Sequence, residues 1–413
     1  MTYELYIHVP FCLRRCGYCD FNTYTAVDLG AGASRGNYAN MVIREMGLVR
    51  EWQETHGVAE PPVDTVFFGG GTPTILSADD LVAMLDAIRS TWGVAPDAEI
   101  TTEANPDTVN EYYINRLAEG GFTRISFGMQ SAVPHVLKTL DRTHTPENVV
   151  AGVKAADKAG LRSSVDLIYG APGESLDDWR TSVRTAIDLG VNHISAYALT
   201  VEPTTKMGRR IAAGTLPRPD DDDEAAKYEI ADDLLTAAGL SWYEVSNWAK
   251  PGYESRHNLG YWRNVDWAGL GPGAHSHYNA VSSGGDAAAH ALRAWDIAHP
   301  RLWGVALNEG RIPWAGSEEI TAGENLEELI MLGLRIREGL DLDRINRVIV
   351  SARESDGSTS LRPVDAARLR PMADEGLVVI ETDSTGRSRV VPTRRGRLLN
   401  DAVIERVFDL AGV

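Results

Sequence analysis

Before residue 200 the chain alternates short apolar runs with amphipathic stretches: ELYIHVP, DTVFFGGGTPT, EITTEANP, RISFGMQS, SSVDLIYGAPG and HISAYALT each precede a helix-like segment or loop. NVVAGVKAADKAG is one such segment, and SLDDWRTSV opens another. The first unit adds a helix over about Ser34 to Gln53, and Ser77 opens the next, with Asp79 and Asp80 in the first turn where the helix dipole favours them. This alternation demands a parallel sheet with helices outside it. Six units make a partial α/β barrel, (β/α)6, where eight would close one. Ligands of such sheets sit at the carboxyl ends of the strands. The three cysteines, the GGGTP turn, Glu103, Gln130 and Asp166 all fall there.

All the cysteine in this chain of 413 residues lies in CLRRCGYC, as Cys12, Cys16 and Cys19. An odd count of a rare residue argues against a disulfide framework. Thiolates gathered on one loop ligate zinc or an iron–sulfur cluster, and Arg14 and Arg15 favour the thiolate form. A four-iron cluster normally takes four cysteines, so three leave one iron open, as a catalytic metal site does for its substrate. The alternative is a closed zinc site with His8 as fourth ligand.

A formal net charge of -18 argues against nucleic-acid binding, which needs clustered Lys and Arg. The N-terminus lacks a signal-peptide pattern, and no apolar run reaches the roughly 20 residues that span a bilayer, so a cytoplasmic protein is expected. Three regions are expected: the barrel at 1–240, a bridging segment at 241–300 and a C-terminal domain at 301–413. The acidic run Asp220 to Glu224 reads as an N-cap and first helical turn. ESRHNLGYWRNVDWAGLGPGAHSHY has neither helical nor strand period and reads as packing for the barrel's open side or as a surface for a flat aromatic ligand. SSGGDAAAHALRAW reads as a turn and a short helix. The C-terminal domain reads as ENLEELIMLGLRIREG, a helix ending at Gly339; a second helix in LRPVDAARLRPMADEG; a hairpin turning at Ser384 to Gly386; and a closing helix. That order is winged-helix-like. Arg387, Arg389, Arg394, Arg395 and Arg397 fit packing or partner contact better than a nucleic-acid reader, having no stripe on a recognition helix.

The cysteine loop, partial barrel and GGGTP together resemble a radical S-adenosylmethionine (SAM) protein. YIHVPFC, FFGGGTPT, EANP, SFGMQS, LDRTHT and DLIYGAPGE resemble the oxygen-independent coproporphyrinogen III oxidase family. HNLGYW, after YEVSNWA, resembles its heme-chaperone (HemW-like) branch. The resemblance implies a [4Fe-4S] cluster on Cys12, Cys16 and Cys19 whose open iron binds SAM. It places Gly70, Gly71 and Thr72 with backbone N–H groups close to the ligand, and Glu103 and Asp166 on its amine and ribose hydroxyls. Arg142 would meet its carboxylate, Gln130 would donate and accept, and Tyr6 and Tyr18 would wall the site. The branch further implies heme, with His257 as axial ligand, His275 and His277 as secondary candidates, and Tyr261 and Trp262 offering aromatic faces. Its partners are heme-accepting apo-proteins such as respiratory cytochromes, some at membranes. The decarboxylating oxidases carry a further cysteine just after the triplet and an N-terminal arm. Here Asp20 and Phe21 follow Cys19, and Cys12 lies near the start. The chaperone reading is therefore set above an active radical SAM enzyme using a 5'-deoxyadenosyl radical, and above a winged-helix nucleic-acid protein with a structural metal.

Overall fold

The computed structural model describes residues 2–282, 290–356 and 360–413. The six expected strands form at Tyr3–Val9 (β1), Val63–Gly70 (β2), Val94–Ala104 (β3), Arg124–Gln130 (β4), Arg162–Tyr169 (β5) and His193–Ala198 (β6). They pair in parallel and in chain order. Strand residues alternate faces, and here the two faces differ in chemistry. Leu5, Ile7, Val66, Phe68, Ile125, Phe127, Val165 and Leu167 are fully buried in one core with Val42, Leu81, Leu85 and Val153 of the outer helices. Each such side chain contributes roughly 1.5–3 kcal/mol by leaving water. The opposite pleat carries Tyr6, Thr101, Ser126, Ser164, Asp166 and Ser195, which line the interior of the partial barrel. Helices begin where capping chemistry allows. Ser77 accepts from the Asp80 N–H, Ser175 and Asp178 form a capping box, and Asp220 accepts from the Asp223 N–H at the acidic run.

The region expected as a bridge is part of the same sheet. Ser241–Glu244 (β7), Asn247–Ala249 (β8), Asp266–Leu270 (β9), His275–Val281 (β10), His290–Asp296 (β11) and Trp314–Ile320 (β12) extend it to the order β12-β11-β10-β9-β1-β2-β3-β4-β5-β6-β8-β7. β9 lies parallel to β1, while β8 runs antiparallel to β6 and β10 to β12 form an antiparallel flank. The second core starts at Leu326, so the division falls after β12 rather than at 301. The expected turn in SSGGD runs into residues 283–289, outside the described residues. HALRAW is strand β11, not a helix, because β10 and β12 supply ladder partners on both sides. HNLGYW is not irregular either: Arg256–Trp262 is a helix capped by Ser255, whose side chain accepts from the Asn258 N–H.

In the C-terminal domain the first helix is Ala322–Gly333, ending before Gly339 because Leu334 and Ile336 turn into the core and Ile336 bridges to Glu244. A helix at Leu342–Asp356 has no counterpart in the sequence reading, although Leu342, Ile345, Ile349 and Ala352 recur at helical spacing and are buried. Leu340–Asp341 (β13), Val378–Thr382 (β14) and Ser388–Pro392 (β15) form a small sheet in the order β13-β15-β14. The closing helix is two, Arg394–Leu398 and Asn400–Ala411. Two of the arginines fasten this domain to the barrel. Arg397 Nη2 lies 2.8 Å from Asp232 and its guanidinium 4.4 Å over the Trp242 ring, and Arg394 pairs with Asp233 at 2.6 Å. Among the described residues no helix is long and apolar enough to cross a membrane.

Candidate functional site: a cysteine-capped cavity inside the barrel

A cavity of about 520 Å³ opens among Cys12, Cys16 and Cys19 and descends into the barrel. The cysteine loop leaves β1 and is pinned on several sides. Cys12 N–H donates to Tyr24 O (2.9 Å), Met207 N–H donates to Gly17 O (2.8 Å), and Asp141 pairs with Arg14 (3.5 Å) and Lys206 (2.8 Å). Arg14 is therefore spent on Asp141, and Arg15 donates to Phe21 O. The cation in contact with a cysteine is Arg142, whose Nη1 lies 3.4 Å from Cys16 Sγ, while the Arg15 charge lowers the Cys19 thiol as expected. Burial raises the Cys12 and Cys19 thiols, which thiolate–iron bonds would offset.

The glycine turn has a different task from the expected one. Gly71 N–H donates to Val9 O and Thr72 N–H to Phe11 O, both at 2.8 Å, while Gly70 N–H donates to the Glu103 carboxylate. These amides are thus spent on protein acceptors, not offered to a ligand. A Cβ at Gly71 would lie 2.6 Å from Phe11 O and 2.8 Å from Val9 O, so glycine lets β2 cross the end of β1 in contact. Thr72 Oγ1 donates to Cys12 Sγ at 3.7 Å.

Deeper side chains come from β3, β4 and β5 and from the loop that carries Arg142. Glu103 ends β3; burial, then the Asp166 charge, pushes its carboxyl up to about 8 against the Gly70 bond. Gln130 ends β4 at a register shift in the β4–β5 ladder and holds φ at +62°, a strained conformation for a residue with a Cβ. Its Oε1 is buried without a hydrogen-bond partner. Asp166 on β5 accepts from Ser126 Oγ at 2.9 Å, and Ser164 Oγ donates in turn to Ser126 Oγ at 2.9 Å. Arg142 donates to Asn105 Oδ1 (2.6 Å) and Gly128 O (2.9 Å). Tyr6 and Tyr18 line the same cavity. Asn105, Ser126, Ser164 and Ser195 escaped the sequence reading, although each lies within the strand motifs or two residues from a chosen position, the spacing that shares a face.

The donor set fits a cluster with one open iron beside a polar ligand: three thiols at one mouth, and Gln130, whose amide oxygen has no partner, in the lining of the same cavity. The closed zinc alternative has lost its histidine. His8 Nδ1 bonds Tyr6 OH and Nε2 bonds Asn22 O, each at 3.0 Å. Among the described residues no three His, Cys, Asp or Glu side chains converge on a single-ion site.

His257 lies at the other end of the barrel. Its neighbours are Glu4 and Thr65 on the first turns of β1 and β2. Nδ1 bonds Thr65 Oγ1 at 2.7 Å, Nε2 bonds Tyr261 OH at 2.9 Å, and the ring stacks on Phe67 at 5.1 Å. The residue is 1% exposed, and burial lowers its pKa to about 3, so it stays neutral. Both nitrogens are engaged, which corrects the expectation of an imidazole offered to iron: the short helix plugs the barrel floor. His275 and His277 lie outside the cavity lining, stacked on Trp295 and Trp267.

Residues 6–186 match the Radical SAM superfamily model and residues 320–399 the HemN C-terminal domain. The heme chaperone HemW of Mycobacterium tuberculosis (strain ATCC 25618 / H37Rv) is 42% identical over 407 residues, covering 98% of this chain and 95% of that protein. HemW of Bacillus subtilis (strain 168) is 34% identical, covering 96% and 97%. Among solved structures, the coproporphyrinogen III oxidase HemN of Escherichia coli superposes with a TM-score of 0.76 at 21% identity, over 98% of this chain and 89% of that one. That likeness is one of fold. With radical SAM and HemN C-terminal regions in order and such identity along nearly its full length, the chain belongs to the HemW family of radical SAM proteins.

Proposed function

We propose that this protein is a cytoplasmic heme chaperone that carries a [4Fe-4S] cluster and SAM and passes heme to respiratory apo-proteins, some of them at membranes. The observation that carries the reading is 42% identity over 98% of the chain to a protein named heme chaperone. The lining of the cysteine cavity supports the cofactors. Cys12, Cys16 and Cys19 would hold the cluster, which when bound supplies one-electron chemistry. Glu103 would accept from SAM's amine and Asp166 from its ribose hydroxyls. Arg142, held beside Cys16 by Asn105 and Gly128, would meet the carboxylate, and Gln130 would give its free Oε1. Tyr6 and Tyr18 would close the sides against water.

The test is anaerobic purification and reconstitution, followed by incubation with SAM, a reductant, and either heme or coproporphyrinogen III. Stoichiometric heme binding without decarboxylated product is expected. Conversion of coproporphyrinogen III to protoporphyrinogen would replace this reading with the oxidase one.

A further inference from the structure

Asn105 belongs to the EANP turn that follows β3, and besides holding Arg142 it reaches toward a second cysteine. The turn fixes its place. Its carbonyl accepts from the Thr108 N–H at 3.0 Å and from Thr108 Oγ1 at 2.8 Å, and Pro106 restricts its backbone. On one side Oδ1 accepts from Arg142 Nη2 at 2.6 Å, and Arg142 Nη1 donates to Cys16 Sγ at 3.4 Å. On the other side Nδ2 donates to Thr72 Oγ1 at 3.3 Å, and Thr72 Oγ1 donates to Cys12 Sγ at 3.7 Å. Cys16, Arg142, Asn105, Thr72 and Cys12 are thus joined by one continuous run of hydrogen bonds, with Asn105 at its centre.

Donor chemistry fixes the direction of that run. A guanidinium only donates, so Asn105 must turn its oxygen to Arg142 and its NH2 to Thr72. A hydroxyl carries a single hydrogen, and with its oxygen accepting from Asn105, Thr72 sends that hydrogen to Cys12. Both ends therefore deliver donors to sulfur. We infer that Asn105 is the positioning residue that aims these donors at the cluster's thiolates and so raises its reduction potential. The inference rests on the cluster reading of Cys12, Cys16 and Cys19. One-electron reduction adds a negative charge to a cluster, and hydrogen bonds to its sulfurs stabilise that charge. Cys16 receives its donor from a cation and Cys12 from a hydroxyl, whereas Cys19 has only a 4.0 Å contact with Thr23 Oγ1. Without Asn105, Arg142 would keep Gly128 O as an anchor at 2.9 Å, but nothing would set the direction of the Thr72 hydroxyl.

The full-length protein is reconstituted anaerobically, without SAM, and titrated with dithionite in the presence of redox mediators while the reduced cluster is followed by electron paramagnetic resonance. The potential is read on loaded chains alone, so partial loss of iron in a variant does not move it. Asn105→Leu is close in shape and removes both amide bonds, and Thr72→Val removes only the hydroxyl. Each should make the cluster harder to reduce, and Asn105→Leu should shift the reduction equilibrium at least tenfold, about 59 mV for one electron. Because Asn105 reaches Cys12 only through Thr72, the double variant should shift less than the sum of the two single ones. An unchanged potential in Asn105→Leu overturns the assignment. So do fully additive shifts, which would mean that the two residues act independently. Should Asn105→Leu take up no cluster, Asn105→Asp replaces it, keeping Arg142 paired while drawing the Thr72 hydrogen to itself. Its shift must then shrink in the Thr72→Val background, and a shift of the same size there overturns the assignment. A wild type that takes up no iron and sulfide refutes the cluster reading and this inference with it.

Discussion

The proposed SAM contact with the clearest quantitative consequence is Glu103. Its carboxyl is pushed up to about 8 by burial and by Asp166. An amine N–H donor is held better by a carboxylate than by an acid, so below that pH SAM binding must first expel the proton. At pH 6, two units lower, the affinity should fall about 100-fold from its plateau, or about 2.7 kcal/mol. Calorimetry on reconstituted protein from pH 6 to 9, in two buffers of different ionisation heat, reads both affinity and proton release. Glu103→Gln should bind weakly at every pH and lose the slope. A wild-type affinity flat between pH 6 and 8, or a slope that survives in the variant, refutes the assignment. The ligand-free fold responds with the opposite sign. Glu103 has an ordinary value of 4.5 and a folded value of about 8, so the folded state retains a proton that the unfolded state has lost. Its contribution is present at low pH and is lost as pH rises through that window.

Cys16→Ser should abolish the cluster, reducing iron and sulfide from near four per chain, the content expected of a cubane, while circular dichroism shows the barrel intact. Asp166→Ala removes the acceptor held by Ser126; SAM affinity should drop by more than tenfold, since losing one partner of a buried charged bond costs about 2–5 kcal/mol. Gly71→Ala drives a Cβ to 2.6 Å from Phe11 O, just before Cys12, and should cost about 1–3 kcal/mol in denaturant unfolding and lower cluster retention.

Local chemistry determined much of this protein from the sequence alone. Six apolar runs set six parallel strands, because a strand buried on its outer face must be apolar there whatever its neighbours. Ser77, Ser175 and Asp220 marked helix starts because a cap acts within three residues. Three cysteines in eight residues marked a candidate metal loop by proximity in the chain. What only tertiary structure decided depends on partners far apart in sequence. β9 was illegible because its justification is β1, to which Tyr3 pairs at Asp266, and because Gly269 is there to let His275 O approach. Seven residues are too few to display a helical period, so HNLGYW looked irregular until Thr65 and Phe67 gave His257 a socket. The same packing separated His257 from Trp262, placing one against Thr65 and Phe67 and the other against the cluster of Tyr243, Leu259 and Ile336. A short helix points its successive side chains in different directions, and only the surrounding fold says what lies in each.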